Sequence, residues 1–131
     1  MSITLEQAEK AINAAIAKAN EQGTKMNIAG MDAGARLVAF KRMEGAIWGG
    51  VYGSQGKAVT SVAFGRDSGL MQERAGAPIV LGIAAAEGGH MIPSQGAVPI
   101  IRNGSVIGAI GCGGGTGQED EDCARAGADA V

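Results

Sequence analysis

Aromatic side chains are scarce in this chain, with 2 Phe, 1 Trp and 1 Tyr among 131 residues. A chain of this length buries roughly two-thirds of its surface on folding, and so little bulky material gives it a thin core. Association with copies of itself would help. Proline is limited to 3 residues and 46% of the chain is apolar, which excludes collagen and a disordered linker. Histidine occurs once, at His90, so a metal cage of two or three imidazoles is excluded. The two cysteines, Cys112 and Cys123, form no C-x-x-C pair, and neither a disulfide framework nor a zinc knuckle is indicated. No basic run occurs and the net charge is −2, which removes the electrostatic footprint of nucleic-acid or anionic-membrane binding. No stretch approaches the ~18 apolar residues of a membrane span, and MSITLEQAEK is not a basic region followed by an apolar one. A cytoplasmic protein is the expectation.

Small residues are abundant instead. The 23 Gly and 24 Ala fill about 36% of the 131 positions, with glycine more than twice its usual share of ~7%. Leu5, Ala8, Ala11, Ile12, Ala15, Ile16 and Ala19 recur at helical spacing, Thr4 and Gln7 match a capping box, and Gly23 supplies a stop. Met26 to Met31 and Arg36 to Arg42 read as a hairpin turned by Asp32-Ala33-Gly34-Ala35. Val51 to Phe64 suits a second helix, and Gly53 and Gly56 in it suggest close packing on another backbone. Ser68 to Arg74 reads as a short helical piece. Ala77 to Ala85 is an apolar run whose period settles nothing, and a short strand or irregular segment is the expectation there. Glu87 to Pro93 reads as a loop. Ala97 to Arg102 and Ser105 to Cys112, joined by Asn103-Gly104, form a second hairpin. A glycine link, Gly113 to Gly117, then leads to a helix from about Gln118 to Ala130 with acidic residues in its first turn. This order predicts one domain, 1–131, with an α+β fold: an antiparallel sheet flanked by helices.

Several residues carry possible chemistry. Gly111-Cys112-Gly113-Gly114-Gly115-Thr116-Gly117 lies between a strand and a helix, where backbone amides can cradle a phosphate. It lacks the third glycine of the dinucleotide fingerprint and the Lys-Ser/Thr of a P-loop, and carboxylates crowd the following helix start. Close backbone packing is the competing reading. His90, the single imidazole, is either a ligand for a metal or haem iron or an exposed loop residue. Arg42, Glu44 and Lys57 flank the end of the first hairpin and the next helix, either as an acid/base and carboxylate-binding group or as an ion-pair network at a subunit contact. Cys112 is a nucleophile, a thiolate ligand or a small buried residue.

The stretch MNIAGMDAGARLVAFKRMEGA (Met26 to Ala46), then Gly56-Lys57-Ala58, then QGAVPIIRNGSVIGAIGCGGGTGQEDEDCARAGADAV to the C-terminus, resembles the GlcG/HbpS-like family. That family includes small haem-binding proteins and the C-terminal domain of PduO-type corrinoid adenosyltransferases. The resemblance covers most of the chain. It implies a profilin-like sheet flanked by helices, homo-oligomers that are often octamers, and haem binding in some members, others being linked to haem breakdown, redox sensing or catabolic operons. Two departures stand out: Gly96-Ala97-Val98-Pro99 where the family usually reads G-G-V-P, and Gly111-Cys112-Gly113-Gly114 where it often reads G-V-S-G. The second raises the expectation of a thiol facing the ligand pocket. No iron ligand carries over from the family to a numbered residue.

Three readings follow. In the first, a homo-oligomer binds haem or a related tetrapyrrole through His90 or Cys112, in a pocket lined by Met43 and Met91. In the second, a catabolic enzyme acts on a small oxo- or hydroxy-acid, with Arg42 or Lys57 holding the carboxylate and Glu44 moving a proton. The third is a structural, partner-binding oligomer with no small ligand.

Overall fold

Thr4 caps the first helix, α1 (Leu5–Gln22): its side chain accepts the Gln7 amide and Gln7 returns the bond to the Thr4 amide. Gly23, at φ 75°, ends it. A computed structural model describes all 131 residues. Strands β1 (Asn27–Asp32) and β2 (Leu37–Arg42) follow, then α2 (Gly49–Phe64), a 3₁₀ segment (Ser68–Arg74), α3 (Pro78–Ala86), strands β3 (Ala97–Arg102) and β4 (Ser105–Gly113), and α4 (Gly117–Asp129). The strands make one antiparallel sheet in the order β2-β1-β4-β3.

Both hairpins form where the turn chemistry predicts them. The Asp32 carboxylate accepts the amides of Gly34 and Arg36, and Asn103 and Gly104 both take positive φ, as a tight two-residue turn requires. The expected strand or irregular segment at Ala77 to Ala85 is corrected: these residues form α3. Pro78 occupies its first turn, where a missing N–H costs nothing, and a run buried on one side only has no need of strand alternation.

Alternate strand residues build two cores. Ile28, Val98, Ile100, Ile110 and Cys112 face α1 and α4, whose contact surfaces are Ala8, Ala11, Ala15, Ala19, Cys123, Ala124 and Ala128. Ala29, Met31, Ala97 and Ala109 face the other way, toward Ala58 and Val59 of α2 and a cap of Met71, Val80 and Met91. Gly111 lies on this second face, where an added Cβ would strike the Ser54 carbonyl of α2.

Candidate functional site

Tyr52, Gln55, Gly56 and Val59 recur along α2 at helical spacing and form one wall of a groove of about 720 Å³. The β1–β2 turn supplies Met31, Arg36 and Leu37, and the loop after α3 supplies Glu87, Gly88, Gly89 and His90. The volume lies in the usual range of small-molecule sites, roughly 300–1,000 Å³.

The loop is held from both ends. Gly88 and Gly89, at φ 68° and 80°, turn the chain out of α3, with their amides donated to Ala85 O and Ala84 O. Beyond it, Met91 is buried, the Ile92 amide donates to Gly56 O at 3.0 Å, and a Cβ at Gly56 would collide with the Ile92 side chain. His90 therefore stands between two anchors, exposed, on the groove wall. Across the groove the Arg36 guanidinium faces Glu87 at 3.6 Å.

The other candidates are dispersed. Lys57 donates to Asp120 at 2.8 Å, and both side chains are buried. Its ammonium lies beside Gly96, next to the start of β3, whereas Arg42 ends β2 at the opposite sheet edge. The two side chains are turned to different partners, so the structure does not bring these cations together on one small carboxylate. Arg42 instead donates to Ala46 O at 2.8 and 3.2 Å, closing the bend, and Glu44 is exposed on it. The expected thiol facing the pocket is also corrected. Cys112 lies inside β4, wholly buried in the α1/α4 core, and desolvation first, then Cys123 and Asp120, push its thiol well above the usual range, against thiolate chemistry. Met43 packs on that same core and accepts the Met26 amide, and Met91 belongs to the second core, so neither lines the groove.

The glycine link serves packing. Asp120 accepts the Gly115 amide at 2.8 Å and Glu119 accepts the Thr116 amide at 2.9 Å, which occupies the donors a phosphate would need. A Cβ at Gly114 would strike Lys25 O. Burial raises the Asp120 carboxyl above its ordinary value, with Lys57 and the Gly115 amide pulling the other way.

Arg36 and Glu87 escaped the reading of the sequence. Arg36 is one polar residue in a turn, and only the fold brings it to a loop 51 positions away.

A family model described as "Haem degrading protein HbpS-like" matches residues 3–129. The chain belongs to the HbpS-like family. Among solved structures, this HbpS-like fold is shared with Klebsiella pneumoniae protein ORFY at 26% identity and TM-score 0.88, over 98% of this chain and 89% of that one. A double mutant of Streptomyces reticuli HbpS gives 26% identity and TM-score 0.87 over 100% and 88%. The PduOC:haem complex gives TM-score 0.87 over 100% and 96%, and at 21% identity that likeness is one of fold. No curated protein sequence matches. No helix of this HbpS-like chain is long and apolar enough to cross a membrane.

Proposed function

We propose that this chain binds haem, or a closely related tetrapyrrole, in the groove beside α2, with His90 as the iron ligand. The observation that carries the reading is that the one imidazole of the chain stands exposed on the wall of a groove floored by Met31, Val59 and Ile92. Family membership and a haem-bound neighbour of the same fold support it.

The donor set fits the group. No three His, Cys, Asp or Glu residues converge anywhere to hold a bare ion, whereas a porphyrin brings four nitrogen ligands of its own and asks the protein for one more and an apolar bed. Bound haem would supply a redox-active iron and a strong chromophore. The chain's own residues supply the rest: His90 offers a ring nitrogen, Met31, Val59 and Leu37 exclude water, and Met91 and Ile92 keep the imidazole in place. Cys112 is closed to the ligand by burial. The oxo-acid reading gains no support, because the cations it needs are committed to Asp120 and Ala46 O.

We also propose self-association, with the octamer that the resemblance implies as the leading state. Ile47, Trp48, Tyr52, Ile79 and Leu81 are all exposed, and they are apolar side chains that a second copy of the chain could cover.

Titration with haemin tests the reading. A saturable Soret shift is expected in the wild type and in Cys112→Ala, and its loss or a move to a weak, non-specific spectrum in His90→Ala. No saturable shift in the wild type overturns the proposal, and an unchanged spectrum in His90→Ala overturns the ligand assignment.

A further inference from the structure

Arg36 brings the only guanidinium or ammonium group to the groove wall, and Glu87 the only carboxyl group. Their contact is loose: at 3.6 Å it is longer than a hydrogen bond, and the side chains are 68% and 31% exposed. The guanidinium is nevertheless positioned. Its Nη1 donates to Gly34 O and Ala35 O at 3.3 and 3.2 Å, the carbonyls of its own turn. The Asp32 carboxylate of the same turn accepts the amides of Gly34 and Arg36 at 2.9 Å each and is occupied with the turn.

Few other donors are free to meet an anion in the groove. The amides of Gly88, Gly89 and His90 go to Ala85 O, Ala84 O and Glu87 O. The Gln55 amide group donates to Val51 O at 2.9 Å. An acidic group on a ligand lying against Met31 and Val59 therefore finds one cation, already facing a carboxylate across the groove.

We propose that Arg36 receives a carboxylate of the groove's ligand, and that Glu87 is the internal competitor which that carboxylate displaces. The groove then selects an acid-bearing ligand over a neutral one of the same shape. A planar guanidinium fork suits this exchange, because it can take a carboxylate through two parallel N–H bonds. The inference rests on the reading that the groove binds haem or a like tetrapyrrole.

The test compares ferric haemin with its dimethyl ester, in one detergent-containing buffer, for the wild type, Arg36→Gln and Glu87→Gln. The wild type should prefer the diacid by about fivefold, the upper range for an exposed charge pair, with the preference shrinking as salt rises. Arg36→Gln should weaken the diacid to the level of the ester and leave the ester unchanged. Glu87→Gln should tighten the diacid by about twofold and again spare the ester. That opposite sign separates competition from a clamp, since two residues that merely held the groove in shape would weaken both ligands when either was changed. Equal affinity for diacid and ester in the wild type overturns the inference and leaves haem binding intact, as do shifts of the same sign in the two variants. Failure of both ligands to bind the wild type overturns the haem reading, and this inference with it.

Discussion

On the face of the sheet covered by α1 and α4, the strands supply bulk and the helices supply small side chains: Ile28, Val98, Ile100 and Ile110 against Ala8, Ala11, Ala15 and Ala124. On the face covered by α2 the strands carry Ala29, Ala97, Ala109 and Gly111 and let the helix backbone close in. The first face is sealed along two helices. The second is tight where α2 crosses β4 and then gives out beyond Met31 and Val59, where the groove begins. Its larger buried side chains include Met31, Met71 and Met91, unbranched groups that adapt to an irregular boundary. An abundance of glycine and alanine thus does two different jobs, and only the second leaves room for a ligand.

The strongest way to break this contrast is at the tight end of α2. Lys57→Met leaves the Asp120 carboxylate buried without its partner, and a loss of about 3–5 kcal/mol is expected in urea unfolding. Adding Asp120→Asn should recover much of it. The pH dependence has a definite sign. Burial raises the folded-state Asp120 carboxyl above its ordinary value despite Lys57 and the Gly115 amide, so the folded chain binds this proton more readily than the unfolded one. Its contribution is fully present below the unfolded value and is lost as pH rises through the raised one. In Asp120→Asn that component of the acid-range stability profile should disappear. A loss under about 1 kcal/mol in Lys57→Met would mean that water reaches this end of α2 and that the face is less tight than its geometry implies.

Two neighbouring positions on β4 sharpen the contrast from opposite sides. Ile110 fills the α1/α4 core, so Ile110→Ala removes bulk and should cost about 2–5 kcal/mol. Gly111 faces α2, so Gly111→Ala adds one methyl against the Ser54 carbonyl and should cost about 1–3 kcal/mol. Calorimetry or denaturant melts read both. A neutral Gly111→Ala would show that α2 can lift away without penalty, and the two faces would then differ less than their packing suggests.

The sheet was legible because its signals are local. Asn103-Gly104 and Asp32-Ala33-Gly34-Ala35 specify turns by backbone chemistry alone, and the Thr4–Gln7 box marks a helix start before any packing is known. The helix Pro78–Ala86 was not legible, since a short apolar run buried only at Val80 shows neither a helical stripe nor strand alternation. Among the candidate site residues, His90 could be singled out by its uniqueness. Grouping Arg42 with Glu44 and Lys57 relied on nearness along the chain, while the fold commits Arg42 to the Ala46 carbonyl and Lys57 to Asp120. The pairing of Arg36 with Glu87 is set by how the first hairpin meets the end of α3, and no spacing within either segment encodes it.

The smallest expected effect asks whether the chain completes its second face alone. The segment PIVLGIAAA of α3 is apolar throughout, yet Val80 is its only buried residue, with Ile79 and Leu81 63% and 56% exposed. Nothing lies within 4 Å of a Cβ built on Gly82. Gly82→Ala should therefore act only through the backbone, reducing the freedom of the unfolded chain and improving helix propensity, a gain of about 0.5–1 kcal/mol. Melts over a range of protein concentrations, with the association state followed by light scattering, give the answer. A gain that holds at every concentration leaves this flank of α3 in solvent. A gain in dilute protein that turns into a loss as copies associate would instead mean that a second chain lays its surface against Gly82. In that case the open face is finished by assembly, and the small side chains of α3 have the same purpose as those of β4: they let a neighbouring surface approach.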